Sequence, residues 1–292
     1  MMQQRVLGPG APSVSAVGYG GMHLSIEGRP PESRAVEVMR AALTAGVTLV
    51  DTADVYCLDQ HDIGHNERLI ARALSGWKGD RSAIVVATKG GVVRPDGRWE
   101  SDARPAQLRA AAERSLRALD VPRLDLYQLH APDPRVPFAD SVGALARLRD
   151  EGKIRWVGLS NVSVAQVRAA QGIVPITTVQ NRLNPFFRES LTGSVVRYCA
   201  EQGIGFLAYS PTGGGRLNRT LPSHPVLAEI AARHGATAHA VVLAWALAQS
   251  PMVIVIPSAR SVEHALDSVG AAGLELSPRD LAAIDAAEFS RA

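Results

Sequence analysis

Four residues in this chain have the chemistry needed to place a proton on a carbonyl oxygen: Asp51, Tyr56, Lys89 and His130. They stand at or just beyond the ends of short apolar runs at residues 48–50, 83–87 and 124–129. A tyrosine hydroxyl ordinarily titrates at about pH 10, too high for ready donation at neutral pH. A neighbouring lysine ammonium favours the phenolate and lowers that value. A carboxylate keeps the lysine charged and placed, and a neutral imidazole can hydrogen-bond a carbonyl. Together the four make a proton donor for a carbonyl that is receiving a hydride. A different chemistry for Lys89 is a Schiff base with a carbonyl substrate, as in a lyase. No Gly-x-Ser-x-Gly elbow points to acyl transfer. His61 and His65 have the i, i+4 spacing of a helical metal pair. Gly64 and the nearby aspartates read as loop, so no metal site is expected.

The elements that must position these residues follow from periodicity. Apolar runs at 14–17, 48–50, 83–87, 124–129, 154–159, 177–179, 205–208 and 252–256 each have the length of one buried parallel strand. Polar residues follow the later runs as well: Ser160 and Asn161, Gln180 and Asn181, Tyr209 and Ser210, Ser258 and Arg260. Helical patterns lie between the runs: one opened by Pro31-Glu32-Ser33 and stopping at Gly46, then others at 67–74, 104–119, 139–151, 163–171, 190–202 and 261–269. Ser163 and Ser261 stand at N-cap positions, and Gly152, Gly172 and Gly203 at helix stops. Two further helices at 225–233 and 238–249 precede the last strand, and one at 278–287 ends the chain.

Strand–helix alternation gives a parallel sheet. Eight units without a linker predict a (β/α)8 TIM barrel, in one domain over residues 1–292, with added helices before the last strand and at the C-terminus. A doubly wound sheet would want Gly-x-Gly-x-x-Gly after a strand, and residues 18–21 depart from it. In such barrels the active site lies at the C-terminal strand ends, where the polar residues fall.

Composition narrows the partners. The chain has 292 residues, 46% hydrophobic and 20% charged, which excludes a disordered or fibrous protein. Its 31 Lys and Arg against 28 Asp and Glu give a net charge of +3, spread without a basic run. Nucleic acid is therefore not an expected partner, whereas a small anionic ligand suits the balance. Cys57 and Cys199 have neither metal spacing nor a disulfide framework, which fits a reducing cytoplasm. The first residues carry no apolar signal region. The longest apolar stretch, 240–248, falls short of the ~18 residues of a membrane span.

In sequence order the motifs resemble the aldo-keto reductase superfamily, in its bacterial branch, essentially from end to end. They are Gly18-Tyr19-Gly20-Gly21-Met22, Leu49-Val50-Asp51-Thr52-Ala53-Asp54-Val55-Tyr56, Thr88-Lys89 and Leu126-Tyr127-Gln128-Leu129-His130. Gly152-Lys153-Ile154-Arg155-Trp156-Val157-Gly158-Leu159-Ser160-Asn161 is the most specific block, and Ala208-Tyr209-Ser210-Pro211 and Ile256-Pro257-Ser258-Ala259-Arg260 complete the series. The resemblance implies NADP bound without a Rossmann domain and hydride exchange with an aldehyde, a ketone or the corresponding alcohol. It implies Tyr56 as general acid, Lys89 and Asp51 lowering its pKa, and His130 orienting the carbonyl. Ser160, Asn161 and Gln180 would hold the nicotinamide carboxamide, and Tyr209 would stack on its ring. Gly21 and Met22 would line the cofactor, and the loop from Ser210 through Gly213, Gly214 and Gly215 would wrap the pyrophosphate.

At the adenosine end many relatives carry Lys-Ser, then Arg, then Glu-Asn, where this chain has Ser258-Ala259, His264 and Asp267-Ser268. Arg260 resembles the Gly-Ala-Arg variant of bacterial branches and is expected to read the 2′-phosphate, unless it pairs with Glu263 or Asp267. Residues 57–65 are longer than the family's Gly-rich turn and are expected beside the substrate, setting its choice. Trp99 either covers the pocket or a core edge, and Tyr19, Met22, Leu183 and Phe186 either line the pocket or pack the core. A noncatalytic cofactor-binding subunit on the same fold is the other family reading.

Overall fold

The computed structural model describes residues 2–291. Strands β1 (Gln4–Val6) and β2 (Ser13–Ser15) form an antiparallel hairpin. A parallel sheet begins with β3 (Tyr19–Gly20), β4 (Leu49–Asp51) and β5 (Val85–Gly90). A short antiparallel pair, β6 (Val92–Val93) and β7 (Glu100–Ser101), rises from the end of β5. The parallel sheet resumes with β8 (Leu124–Leu129), β9 (Ile154–Ser160), β10 (Thr178–Arg182), β11 (Gly205–Tyr209) and β12 (Val253–Val255).

Helices α1 (Glu32–Thr44), α2 (His65–Ser75), α3 (Pro105–Leu119), α4 (Phe138–Asp150) and α5 (Val164–Gln171) follow β3, β4, β5, β8 and β9. Then α6 (Glu189–Thr192) and α7 (Val195–Gln202) follow β10, and α8 (Gly214–Leu217), α9 (Pro225–His234) and α10 (Ala238–Ala248) separate β11 from β12. Helices α11 (Val262–Gly270) and α12 (Pro278–Ala286) close the chain. The sheet order is β3-β4-β5-β8-β9-β10-β11-β12. Val17 bridges Val255 in parallel, and the Gly20 N–H donates to Pro257 O at 2.8 Å, so the two edges meet. The architecture is the (β/α)8 barrel, with added helices before the last strand and at the C-terminus. No helix among the described residues is long and apolar enough to cross a membrane.

Two expectations are corrected. The run at 14–17 is not the first barrel strand: Ser13–Ser15 pairs back onto Gln4–Val6, and the barrel wall is taken up by Val17 and then Tyr19–Gly20. Gly8 and Gly10, at φ +148° and +71°, let the chain reverse there. An apolar run identifies a strand but not its partner. The pattern at 190–202 is also not one helix. It breaks at Gly193 and Ser194, the latter left-handed at φ +62°, into α6 and α7.

Period-two alternation sorts each strand into two sets of side chains. Val50, Val86, Tyr127, Val157, Val179 and Phe206 point outward and pack with Met39, Ile70, Leu108 and Leu145 of the helices. Leu49, Val85, Ala87, Leu126, Trp156, Leu207 and Ile254 fill the barrel, with Leu7 and Val14 of the hairpin. Extended two residues at a time, the inward sets turn polar: Asp51 on β4, Lys89 on β5, Gln128 on β8, Ser160 on β9, Gln180 and Arg182 on β10, Tyr209 on β11. The lower barrel is thus a dry plug and the upper barrel a polar site.

The plug depends on a close backbone approach at Gly205. A Cβ there would stand 2.0 Å from Leu7 O, although the backbone itself is not left-handed. Gly205→Ala should therefore displace the hairpin and lower stability by about 1–3 kcal/mol, the usual range for overpacking. Denaturant unfolding read by circular dichroism checks this. An unchanged midpoint would mean that the hairpin is not seated against the barrel.

Candidate active site

Lys89 is fully buried, and its ammonium donates to three oxygens: Asp51 Oδ2 at 2.7 Å, Thr52 O at 2.9 Å and the Tyr56 hydroxyl at 2.9 Å. Asp51 Oδ1 accepts in turn from Gln180 Nε2 at 2.7 Å and Gln128 Nε2 at 3.4 Å. The strand ends are braced from outside by the first turn of α2. Asn66 donates to Gly21 O and accepts from Thr52 Oγ1, and Glu67 accepts from Thr88 Oγ1 at 2.6 Å. Asn66 and Glu67 are positioning residues that pattern reading missed, because nothing in the sequence turns that helical face toward the strands.

The protonation states follow from this enclosure. Burial works against the Lys89 charge, but Asp51 and Tyr56 reverse the balance and raise its pKa, so it is an ammonium. Burial raises the Tyr56 phenol, Lys89 pulls it down, and Asp51 pushes it up, with a net rise. This corrects the expectation that Asp51 lowers the tyrosine. The carboxylate acts through Lys89, and its direct effect on Tyr56 has the opposite sign. Burial, with the Lys89 charge, takes His130 down to about 3, leaving a neutral imidazole.

Above these groups opens a cavity of about 330 Å3. Asp51, Tyr56 and His130 line it, as do Met22, Ser160, Asn161 and Gln180. Tyr209, Ser210, Gly214 and Ser258 complete the expected residues on its wall. The Tyr209 hydroxyl donates to Asn161 Oδ1 at 2.8 Å, and Asn161 Nδ2 donates to His130 O at 2.9 Å. Asn161 and Ser210 both have left-handed backbones, at φ +58° and +46°, which is uncommon outside glycine. The Ser258 hydroxyl is buried without a partner among the described residues.

Other expected residues stand outside the lining. Gly21 is used by the protein itself: its N–H donates to Asp51 O at 2.8 Å, its O accepts from Asn66, and a Cβ would meet Asn66 Oδ1 at 2.4 Å. Gly213 N-caps α8 at φ +95°, and Gly215 lies within α8. Arg260 is exposed and donates to Gly28 O at 2.9 Å. No ion pair joins it to Glu263 or Asp267, whose carboxylate accepts from Thr237 Oγ1 at 2.8 Å instead. His264 and Ser268 lie on α11. Tyr19, Leu183 and Phe186 are core residues, with the Tyr19 hydroxyl donating to Ala259 O. Among the described residues no cluster of three or more His, Cys, Asp or Glu is set to hold a metal, and the His65 ring meets Ser25 Oγ at 2.8 Å.

Residues 57–65 are not part of the cavity wall. They form a second layer that grips the loop above it. Gln60 Oε1 accepts from the Asp96 N–H at 2.6 Å, and Leu58 O accepts from Arg94 Nη2 at 2.8 Å. Arg94 is 1% exposed, pairs with Glu27 at 3.1 Å, and lies 4.0 Å beneath the Trp99 ring. Among the described residues its Nε and Nη1 find no partners. Trp99 faces Tyr56 at 6.4 Å and His130 at 6.5 Å, each edge-on, and lines the cavity. Arg94 therefore seats the aromatic wall opposite the tyrosine. Its signal in the sequence was only an arginine in a polar loop.

Arg94→Met should loosen Trp99 while preserving the apolar stem. Acrylamide quenching of Trp99 should rise, read as the difference from a Trp99→Phe partner because the chain has four tryptophans. Stability should fall by about 1–3 kcal/mol, from lost hydrogen bonds to a charged group. Unaltered quenching would show that the ring is held without Arg94.

A profile of the Aldo/keto reductase family matches residues 16–288. "Probable aldo-keto reductase 1" of Glycine max is 33% identical over 299 residues, covering 92% of this chain and 84% of the relative. An aldo-keto reductase from Klebsiella pneumoniae, solved in complex with NADPH, superposes with a TM-score of 0.82 at 28% identity, covering 98% of this chain and 95% of that one. A glycerol dehydrogenase from Gluconobacter oxydans superposes with a TM-score of 0.84 at 28% identity, covering 96% and 94%. With the matched profile spanning nearly the whole barrel, the chain belongs to the aldo/keto reductase family.

Proposed function

We propose that the protein is an NADP(H)-dependent oxidoreductase that reduces aldehydes or ketones, or runs the reverse on the alcohols. The observation that carries this reading is the Lys89 contact with the Tyr56 hydroxyl, 2.9 Å long, at the floor of an open cavity. A bound nicotinamide supplies the hydride for the carbonyl carbon. Tyr56, kept protonated by burial, gives its proton to the carbonyl oxygen. The Lys89 N–H already aimed at the phenol oxygen stabilises the phenolate left behind. Neutral His130 orients the carbonyl, and Trp99 forms the aromatic wall beside it. All three ammonium protons of Lys89 are engaged, which opposes a Schiff-base role, since that needs a free neutral amine.

The residues present fit the cofactor. Gln180 gives its N–H to Asp51 and keeps its carbonyl for a carboxamide, beside Ser160 and Asn161. Tyr209 offers a ring for stacking. Gly213 and Gly214 are left-handed, and nothing stands closer than 3.9 Å to a Cβ placed on Gly214, so a pyrophosphate can approach the backbone. The NADPH complex of the Klebsiella neighbour supports the same choice.

The test is NADPH consumption, followed by absorbance, across a carbonyl panel. Wild type should turn over at least part of the panel. Tyr56→Phe should lose about 10²–10⁴-fold in rate, the usual share of general acid catalysis, with NADPH affinity retained. Near-wild-type reduction by that variant would refute the assignment.

Arg260 is assigned the 2′-phosphate of NADPH. Its planar guanidinium suits that dianion, and only one nitrogen is tied down, to Gly28 O. Arg260→Ala should weaken NADPH by about tenfold or more and scarcely alter NADH, judging from hydrogen bonds to charged groups. Fluorescence titration with both cofactors checks this, and equal losses would contradict it.

A further inference from the structure

We propose that Arg182 is a specificity residue that selects carbonyl substrates bearing a carboxylate, such as short aldehyde acids and oxo acids. The inference rests on the reductase reading above and names the substrate class for that site. Three observations carry it.

The first is position. Arg182 is the last residue of β10 and belongs to its inward set, two residues beyond Gln180, or about 7 Å along the strand. It pairs in register with Tyr209 and lines the cavity. Gln180 touches Asp51, so Arg182 stands one inward position farther up the same wall of the cavity.

The second is the charge on the cavity wall. Among the described residues Asp51 is the one carboxylate lining the cavity, and Lys89 neutralises it at 2.7 Å. Tyr56 and His130 are neutral, and burial together with Arg260 lowers the pKa of His23, a further lining residue. Among the described residues no free anion on this wall faces the positive charge of Arg182, and Glu189 acts on it only from outside the lining.

The third is that, among the described residues, the Arg182 guanidinium makes no ion pair and no hydrogen bond; Glu189, whose pKa Arg182 helps to lower from a distance, is instead paired with Arg291 at 2.6 Å. The Arg182 guanidinium packs over Phe187 at 4.5 Å and Tyr209 at 5.6 Å. Neighbouring arginines behave differently: Arg188 donates to Ile284 O at 2.8 Å, and Arg291 to Phe186 O and the Glu189 carboxylate, each at 2.6 Å. Contact with ring faces leaves the in-plane N–H fork of a guanidinium unused, and that fork matches a carboxylate.

The test compares para-carboxybenzaldehyde with its methyl ester under NADPH, with succinic semialdehyde as an aliphatic probe. Wild type should prefer the acid over the ester in kcat/KM by about tenfold, the low end for a charged hydrogen bond at an open site. In Arg182→Met that ratio should fall to about one, mainly through KM. Arg182→Lys should keep part of it, and added salt should shrink the wild-type ratio, as screening requires. An acid-to-ester ratio unchanged by Arg182→Met overturns the proposal while leaving the reductase reading intact. A loss of NADPH affinity equal to the loss for the acid overturns it too, by placing the guanidinium on the cofactor. Failure of wild type to consume NADPH with either probe or any other carbonyl overturns both.

Discussion

The buried ammonium of Lys89 is the constraint on which the site depends. A lone charge so far from water is strongly disfavoured, and it persists only where its hydrogens are all accepted and a counter-charge stands close. Asp51, Thr52 O and the Tyr56 hydroxyl meet those conditions from β4 and the loop after it, while Lys89 itself sits on β5. Sheet register therefore has chemical consequences. A one-residue slip between β4 and β5 would turn Lys89 out of the barrel and leave Asp51 unpaired. The apolar plug below and the Asn66 and Glu67 brace outside both hold that register.

The upper rim is fixed by different means. Asn161 and Ser210 are bent into left-handed backbone, and Asn184 holds Ser210 O at 2.8 Å. Strained non-glycine backbone persists where its surroundings over-determine it, and both residues stand on the cavity wall. The aromatic side is set by Arg94, which ties Glu27, Leu58 and Trp99 into one unit. Residues 57–65 thus bear on the cavity through Arg94 and Asp96, at one remove from its wall.

The parts of this arrangement that repeat along the chain were legible in the sequence. Seven of the eight barrel strands and the polar residues after them follow from apolar runs with a polar step at the end. Partner choice was not legible, which is why residues 14–17 were placed in the barrel wall instead of the hairpin. The left-handed Ser194 that splits α6 from α7 carries no compositional mark. Arg182 escaped because the apolar run of β10 ends at Val179, while the strand continues to Arg182 through polar residues. Arg94 escaped because burial of a loop arginine depends on three distant segments. The sign of the Asp51 effect on Tyr56 needed geometry, since a carboxylate can act on a phenol directly or through the cation between them.

The central claim is that Lys89 is a permanently charged hydrogen-bond donor to Tyr56. It is tested most directly by following lysine side-chain NMR signals against pH. The chain has three lysines, Lys78, Lys89 and Lys153, and Lys78→Arg and Lys153→Arg variants assign the signals. Lys89 should remain protonated beyond the ordinary lysine value of about 10.4, and Asp51→Asn should bring its titration down. A Lys89 that loses its proton near neutral pH would be a neutral amine where the enzyme works, and the account of the site would be wrong.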